Sequence, residues 1–248
     1  MIHGLPSGSM NGVLQEREVH VWRVVLDRLS PSVERAAACL SHEEIERSTQ
    51  FAAPLEQRRF ILSRIVLRDV LARYHGAPAA DIPLAREAGG RPFVQGAERP
   101  FFSLSHTGGV ALIAVADCAI GIDVERVRRV PRATAIARRV LHPDTVALLE
   151  ALPRPDFAAT FLDAWTQREA HVKAVGGGLF RTADELPFDP SQPHDATVHA
   201  VVSRTDGARW SVARFQPYAS TRAALAAPGT LSRIQIMDWN DTPEEGEE

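Results

Sequence analysis

The fold is decided by the middle of the chain, residues 101–125, which run F-F-S-L-S-H-T-G-G-V-A-L-I-A-V-A-D-C-A-I-G-I-D-V-E. Three short runs in this stretch, 101–105, 110–116 and 120–125, are rich in apolar, β-branched and aromatic residues. The turn formers T-G-G and D-C-A separate them, and connections this short favour antiparallel neighbours over parallel strands joined by a crossover. We therefore predict three consecutive strands in this region.

The flanking sequence carries both helical and strand patterns. Upstream, residues 19–26 predict a strand, Ser41 and Glu44 match a capping box, and the apolar spacing of residues 57–74 fits an amphipathic helix. Downstream, helical patterns come first and strand patterns follow. The further predicted helices are 134–151 and 157–175, and the further predicted strands are 92–94, 196–203, 209–215, 221–227 and 232–238.

This order of elements predicts an α+β fold built from two similar halves, with antiparallel-rich sheets and packed helices. We assign residues 13–117 to the N-terminal half and residues 118–240 to the C-terminal half. The segments 1–12 and 241–248 are expected to be flexible termini, because the first has no periodic pattern and the second is strongly acidic.

Composition excludes several classes of protein. The 248 residues carry a net charge of −3, which argues against a nucleic-acid-binding protein. No stretch approaches the roughly 20 apolar residues that span a bilayer, and the N-terminus lacks the pattern of a signal peptide. Cys39 and Cys118 match no zinc-binding spacing. We expect a cytoplasmic monomer with no nucleic acid and no membrane among its partners.

Two acidic residues in the sequence G-I-D-V-E are spaced for joint chemistry. Asp123 and Glu125 are two apart on a predicted strand, so both carboxylates leave the same face, while Ile122 and Val124 point toward the core. Adjacent carboxylates repel each other, and a divalent cation is one reason to keep them together. The alternative is an ordinary strand with one polar, half-exposed face.

The helix predicted at 157–175 carries the only lysine of the chain, Lys173, among 28 basic residues. Glu169 lies four residues before it, on the same helical face. Two structural alternatives apply: a capping box with Thr166 as N-cap, or a surface ion pair worth ~0.3–0.5 kcal/mol. Against them, a surface pair in this chain would be expected to use arginine, whereas lysine offers a compact charge that can donate a proton.

Possible anion-binding groups lie in three further segments. The glycine turn after Ser105 and His106 can present backbone N–H groups and hydroxyls to phosphate oxygens, although an exposed turn histidine is the commoner case. The segments 57–64 and 89–93 add arginines able to bind phosphate in bidentate fashion, with surface solvation as the alternative for each. No G-x-S-x-G motif of a serine hydrolase is present.

Taken in order, these blocks resemble those of the Sfp-type 4′-phosphopantetheinyl transferase superfamily. The blocks are R-R-F-I-L-S-R-x-x-L-R, G-R-P, F-S-L-S-H-T-G, I-G-I-D-V-E and W-T-x-R-E-A-x-x-K-A-x-G-x-G-L. The resemblance covers roughly residues 20–240, and its sharpest motifs lie between residues 58 and 180. It implies a pseudo-twofold pair of α+β halves, with coenzyme A and magnesium at their junction.

The resemblance also implies a reaction and the residues that perform it. These enzymes transfer the 4′-phosphopantetheine arm of coenzyme A to a serine of an apo acyl or peptidyl carrier protein, and release adenosine 3′,5′-bisphosphate. The carriers belong to polyketide, nonribosomal peptide or fatty-acid synthesis. By resemblance, the Mg²⁺ ligands are Asp123, Glu125 and Glu169, the catalytic residues are Glu169 as base and Lys173 at the leaving group, and the residues binding coenzyme A are Arg47, Arg59, Arg91, Ser105, His106 and Lys173.

This sequence departs from the usual pattern in three places. Arg168 replaces a lysine before Glu169, and Arg91 replaces the lysine of G-K-P. Near the first helix, Glu44 and Glu46 stand where some members carry basic residues for the 3′-phosphate. The alternatives to a transferase are a non-catalytic protein of the same fold that binds coenzyme A or a carrier protein, and a magnesium-dependent nucleotide phosphohydrolase.

Overall fold

The computed structural model describes residues 14–30, 38–87, 89–176 and 186–239. The termini predicted to be flexible, 1–12 and 241–248, lie outside these ranges. Every helix in the described part of the chain is too short or too polar to cross a bilayer.

The described strands form two four-stranded sheets and one small hairpin. They are β1 (Glu18–Val25), β2 (Leu84–Arg86), β3 (Pro92–Val94), β4 (Phe101–Thr107), β5 (Val110–Ala116), β6 (Gly121–Arg126), β7 (His199–Val202), β8 (Arg209–Phe215), β9 (Thr221–Pro228) and β10 (Arg233–Asp238). The first sheet has the order β10-β1-β5-β4, the second has the order β6-β9-β8-β7, and β2 pairs with β3. All neighbouring strands are antiparallel except β1 and β10, which are parallel. The α+β class and the three strands predicted between 101 and 125 are confirmed.

Five helices are described: α1 (His42–Thr49), α2 (Pro54–His75), α3 (Ala133–Val140), α4 (Pro143–Glu150) and α5 (Arg154–Val175). The predicted capping box of α1 is present, since Ser41 accepts a hydrogen bond from the Glu44 N–H and the Glu44 carboxylate accepts one from the Ser41 N–H. The single helix predicted at 134–151 is wrong. His142 precedes a proline and is held in an extended conformation, so the pattern divides into α3 and α4.

The two sheets pack face to face, with one long helix on each outer side. Strand β5 shows this division, because its sequence is apolar throughout and its side chains alternate between two cores. Ala111, Ile113 and Val115 pack with α2, whereas Leu112 and Ala114 pack between the sheets with residues of β6, β8 and β9. On its outer face the second sheet packs against α5. The layers are therefore helix, sheet, sheet and helix.

The proposed division of the chain at residues 117 and 118 stays a prediction. Strand β10 belongs to the predicted C-terminal half by sequence, but it pairs with β1 and so lies in the first sheet. The short strand β2 is not predicted from the sequence, because L-A-R contains no β-branched or aromatic residue, whereas its equally short partner β3 contains Phe93 and Val94.

Candidate active site

Strand β6 and helix α5 approach each other unusually closely, and this contact builds the site. A Cβ atom on Gly121 would lie 1.9 Å from the carbonyl oxygen of Ala170 and 2.6 Å from the amide nitrogen of Ala174. Only glycine allows the strand backbone to lie directly on the helix at this distance. As a result, the acidic side chains that follow on β6 lie within reach of side chains from α5.

Lys173 crosses from α5 to β6. Its Nζ donates to Asp123 Oδ1 at 2.7 Å and to the carbonyl oxygen of Ile122 at 3.0 Å. Asp123 is buried, whereas the Lys173 side chain retains 31% of its exposure. The ammonium therefore has one side on a buried carboxylate and another side open to solvent.

Asp123 uses only one of its two oxygens for hydrogen bonds. Oδ1 accepts from Lys173 and, at 2.8 Å, from the hydroxyl of Ser105. Oδ2 is buried and has no hydrogen-bond partner among the described residues. A buried, unpaired carboxylate oxygen is costly unless a further partner binds it, which makes Oδ2 the clearest ligand atom of the site.

Glu125 lies on the same face of β6, as the spacing of two residues predicts. Its Oε2 accepts from the Thr107 hydroxyl at 3.3 Å. Burial raises the pKa of Glu125 above its usual value, and the negative charge of Asp123 raises it further. Ile122 and Val124 point the other way and are buried between the sheets, as predicted.

Glu169 is buried on α5 beside Arg168. The Arg168 guanidinium donates to Glu169 Oε1 at 2.5 Å and to the carbonyl oxygen of Val140 at the end of α3. Burial raises the pKa of Glu169, the charge of Arg168 opposes this rise, and Asp123 adds to it. Arg168 is thus a structural partner of the predicted base and links it to the neighbouring helix.

Neither structural alternative for the α5 motif is present. Thr166 lies in the middle of α5, which begins at Arg154, and its hydroxyl donates to the Asp163 carbonyl oxygen, so it is not an N-cap. The salt bridges of Glu169 and Lys173 within the described residues are to Arg168 and Asp123 respectively, so the two do not form the simple helical pair.

The chemistry of these carboxylates fits a divalent cation. Hard cations such as Mg²⁺ bind carboxylate oxygens, and the unpaired Asp123 Oδ2 is such a donor. No group of three or more His, Cys, Asp or Glu side chains in the described ranges is arranged as a metal-ligand cluster. In this conformation the charges of Lys173 and Arg168 neutralise Asp123 and Glu169 instead. The predicted ligand set stays a prediction.

A cleft of about 360 Å³ opens beside Lys173 and is bounded by α1, α2, β4 and the β2–β3 hairpin. Its lining is strongly basic. The charged and titratable residues lining it are Arg47, Arg64, Arg86, Arg91, His106 and Lys173. Four of the six residues predicted to bind coenzyme A therefore face one cavity, which suits a ligand with several phosphate groups.

The other two predicted residues point elsewhere. The Arg59 guanidinium forms a bidentate pair with Asp27, at 2.9 and 2.7 Å, and a third contact with Glu56 at 2.7 Å. These hydrogen bonds raise the pKa of Arg59. Ser105 is buried behind the cleft wall and contacts Asp123. Neither residue lines the cleft.

Two arginines of the cleft, Arg64 and Arg86, were not among the predicted site residues. Arg64 lies on α2 in the same motif as Arg59, and only the helical phase separates the two. It is buried, and desolvation lowers its pKa to about 10 although Glu44 opposes the change. Within the described ranges, its Nε has no hydrogen-bond partner and lies 3.5 Å from Glu44 Oε1.

Glu44 does not add negative charge to the cleft. Its carboxylate turns inward, where it accepts from Arg68 at 2.9 Å and from the Ser41 N–H. Arg68 in turn donates to the carbonyl oxygen of Ile82. The acidic α1 segment therefore weakens anion binding less than its sequence suggests.

His106 lies at the mouth of the cleft, with part of its ring exposed to solvent. Protein atoms surround the rest of the ring, and this desolvation lowers its pKa, as does the charge of Lys173. A neutral imidazole here can donate a hydrogen bond from one nitrogen and accept one at the other.

The β2–β3 hairpin packs on the end of α5. Arg91 donates to the carbonyl oxygen of Ala174 at 3.3 Å and to Glu87 at 2.6 Å. A Cβ atom on Gly89 would lie 2.2 Å from the carbonyl oxygen of Gly176, which ends α5 with a φ of 75°. Arg91 thus contacts the helix that carries Lys173 and also faces the cleft.

Comparison with known protein families gives two matches that together span most of the chain. Residues 119–227 match the 4′-phosphopantetheinyl transferase superfamily, and residues 28–118 match the N-terminal domain of 4′-phosphopantetheinyl transferase.

Individual relatives agree with these matches. The chain is 32% identical over 224 residues to the 4′-phosphopantetheinyl transferase HetI of Nostoc sp., covering 88% of this chain and 91% of that protein. It is 29% identical to 4′-phosphopantetheinyl transferase psf-1 of Bacillus pumilus, over 59% of this chain and 62% of the relative. It is 26% identical to 4′-phosphopantetheinyl transferase Sfp of Bacillus subtilis, over 63% and 66%.

Proposed function

Because the chain belongs to the 4′-phosphopantetheinyl transferase superfamily, we propose that it transfers the phosphopantetheine arm of coenzyme A to a serine of an apo carrier protein. The observation that carries this proposal is the position of Lys173, the only lysine of the chain. Its ammonium contacts the buried carboxylate of Asp123 and also lines the basic cleft. One side chain therefore contacts a carboxylate of the predicted metal site and also lines the phosphate-suited cleft.

The reaction exchanges one phosphoryl acceptor for another. The serine oxygen of the carrier attacks the phosphorus that bears the pantetheine arm. The bond from this phosphorus to the oxygen bridging the pyrophosphate breaks, and adenosine 3′,5′-bisphosphate leaves with that oxygen. The serine loses a proton and the departing oxygen gains negative charge, so the site needs a base and a cation at opposite ends.

Glu169 and Lys173 suit these two roles. The raised pKa of Glu169 makes it a stronger base than an exposed glutamate, and it takes the serine proton directly or through water. Lys173 donates to the departing oxygen, because it lines the cleft and its ammonium has donors besides those used by Asp123 and Ile122. An arginine would keep its proton, whereas a lysine can give it up.

Asp123, Glu125 and Glu169 would hold Mg²⁺. When bound, the cation neutralises charge on the pyrophosphate oxygens. The cleft arginines bind the remaining phosphates, and the desolvated site strengthens these contacts.

Carrier proteins of polyketide, nonribosomal peptide or fatty-acid synthesis are the proposed acceptors, and the cytoplasm is the proposed location. Both proposals follow from the superfamily resemblance and from the expectations drawn from composition. The experiment incubates purified protein with coenzyme A, Mg²⁺ and a panel of unrelated apo carriers, and follows each carrier by mass spectrometry.

We expect at least one carrier to gain the mass of one phosphopantetheine arm, and chelation of Mg²⁺ to abolish the gain. If no carrier gains mass while calorimetry shows coenzyme A binding, the non-catalytic alternative is favoured. If coenzyme A loses its bisphosphate without any carrier, the protein is a phosphohydrolase.

A further inference from the structure

Three hydroxyls on β4 join the edges of the two sheets. Ser103 Oγ accepts from the Ile122 N–H at 3.1 Å, and Ser105 Oγ accepts from the Val124 N–H at 3.3 Å. Thr107 Oγ1 accepts from the N–H of Arg126 at 3.4 Å. Both strands have a period of two residues, so each hydroxyl meets one outward-facing amide of β6. We name these residues, Ser103, Ser105 and Thr107, the hydroxyl ladder.

Two of the three hydroxyls in the ladder also donate a hydrogen bond to a carboxylate of β6. Ser105 donates to Asp123 Oδ1 at 2.8 Å, and Thr107 donates to Glu125 Oε2 at 3.3 Å. Each of these hydroxyls therefore contacts two consecutive residues of β6: it accepts from the N–H of one residue and donates to the carboxylate of the residue before it. At the first rung the corresponding residue is Gly121, which has no side chain to receive a hydrogen bond.

The hydrogen bonds of Ser105 leave it little capacity to bind phosphate. A hydroxyl has one proton, and that of Ser105 is donated to Asp123, while the oxygen accepts from an N–H. The side chain is also buried and does not line the cleft. Ser105 and Lys173 both donate to Asp123 Oδ1. Asp123 Oδ2 is thereby left without a hydrogen-bond partner among the described residues.

We propose that Ser105 and Thr107 are positioning residues that orient the carboxylates of Asp123 and Glu125 for a divalent cation, and that Ser105 is not a coenzyme A ligand. This inference rests on the proposed function, since it concerns the cation that the carboxylates would hold. Partners of metal-binding side chains commonly change metal affinity by about 10- to 100-fold when removed.

The test compares Ser105→Ala with Ser103→Ala, which removes a buried hydroxyl of the same ladder that has no carboxylate to orient. Mn²⁺ is titrated into each protein without coenzyme A, and free Mn²⁺ is followed by electron paramagnetic resonance. Coenzyme A affinity is measured separately by calorimetry in the presence of EDTA, where a residue that orients metal ligands has no effect and a phosphate ligand does.

For Ser105→Ala we expect Mn²⁺ affinity to fall by about tenfold and coenzyme A affinity in EDTA to stay within about twofold of wild type. Ser103→Ala should leave Mn²⁺ affinity unchanged; because Ser103 lines the cleft, this variant is a control for the metal measurement alone. If Ser105→Ala does not fold, Thr107→Val and Thr107→Ser supply the comparison, and only the valine variant should weaken Mn²⁺ binding.

Three results would overturn the inference. In the first, Ser105→Ala binds Mn²⁺ like wild type but loses coenzyme A affinity in EDTA, which would make Ser105 a phosphate ligand. In the second, Ser103→Ala weakens Mn²⁺ binding as strongly as Ser105→Ala does, which would mean that the hydroxyls only connect β4 to β6 and do not orient the carboxylates. A wild-type protein that modifies carriers yet binds no Mn²⁺ would refute the inference while leaving the transferase function intact. Loss of carrier modification by wild type would instead refute the proposed function.

Discussion

The two long helices, α2 and α5, are built alike but use their polar side chains differently. Each has 22 residues, a proline in the first turn and a glycine in the left-handed conformation at its end. On α2, Arg68 is buried, and its donors bind Glu44 and the carbonyl oxygens of the 79–82 turn. On α5, the ammonium of Lys173 stays partly exposed at the cleft.

Each helix packs on the outer face of one sheet, yet α2 uses its buried cation to stabilise the fold and α5 presents its cation to a binding cleft. Arg68 has carbonyl and carboxylate partners within its reach, so its charge stabilises the connection that follows α2. Lys173 contacts Asp123, whose Oδ2 has no hydrogen-bond partner among the described residues, so this carboxylate can still bind a further ligand. Four changes would break or sharpen this contrast.

The largest effect is expected from Lys173→Arg. Arginine retains the charge but does not give up a proton, so we expect the rate of transfer to a carrier to fall by at least about 100-fold. Coenzyme A affinity, measured by calorimetry, should change far less. Arg138→Lys, which alters an exposed pair with Glu150, is the control. A near-normal rate for Lys173→Arg would remove the assigned role at the leaving group.

A smaller effect is expected from Arg64→Ala, compared with Arg59→Ala. Arg64 lines the cleft and its Nε makes no hydrogen bond to the described residues, whereas Arg59 is held by Asp27 and Glu56. Loss of one hydrogen bond to a charged ligand should weaken coenzyme A binding by about tenfold for Arg64→Ala, as calorimetry would measure. Arg59→Ala should weaken it less, and the opposite order would favour the assignment made from family resemblance.

Arg91→Lys should weaken the end of α5 rather than the chemistry. A lysine cannot contact both the Ala174 carbonyl oxygen and Glu87 with the geometry of a guanidinium. We expect the free energy of unfolding to fall by about 1 kcal/mol and amide exchange to rise in the last turn of α5. Arg86→Lys, on the same hairpin, serves as control. Unchanged amide hydrogen exchange at residues 172–176 would show that the contact of Arg91 with the Ala174 carbonyl oxygen does not stabilise the end of α5.

The smallest effect is a pH dependence of stability on the α2 side. His20 is buried, and its Nδ1 lies 2.8 Å from the hydroxyl of Tyr74 on α2. Burial lowers the pKa of His20 below its ordinary value of about 6.5, so the unfolded chain takes up a proton that the folded chain does not. Stability should therefore fall as pH drops below about 6.5, by at most about 1.4 kcal/mol per pH unit.

His20→Gln provides the comparison for this slope. Urea unfolding between pH 7 and 5 should show a shallower loss of stability in the variant than in wild type. Identical slopes would mean that the pKa of His20 is the same in the folded and the unfolded protein, which would contradict the lowering by burial.

Local patterns account for much of the fold. The continuous apolar run of residues 110–116 and the turn glycines before it predict β5 and its hairpin, because these signals depend only on neighbouring residues. The apolar pattern continues across residues 140–146, so it predicts one helix there. The extended residue His142, which precedes Pro143, instead separates α3 from α4. Family resemblance, in turn, placed Arg59 in the binding site, whereas the structure pairs it with Asp27.

The order of the motifs established the superfamily, and the spacing of Asp123 and Glu125 predicted their shared face, because strand geometry repeats every two residues. The identity of the cleft arginines, the partner of Lys173 and the hydroxyl ladder depend on segments far apart in the chain. For Lys173, Gly121 permits the contact with Asp123, since its missing side chain lets β6 lie on α5. Such close approach is a property of packing in three dimensions, and no pattern within one segment encodes it.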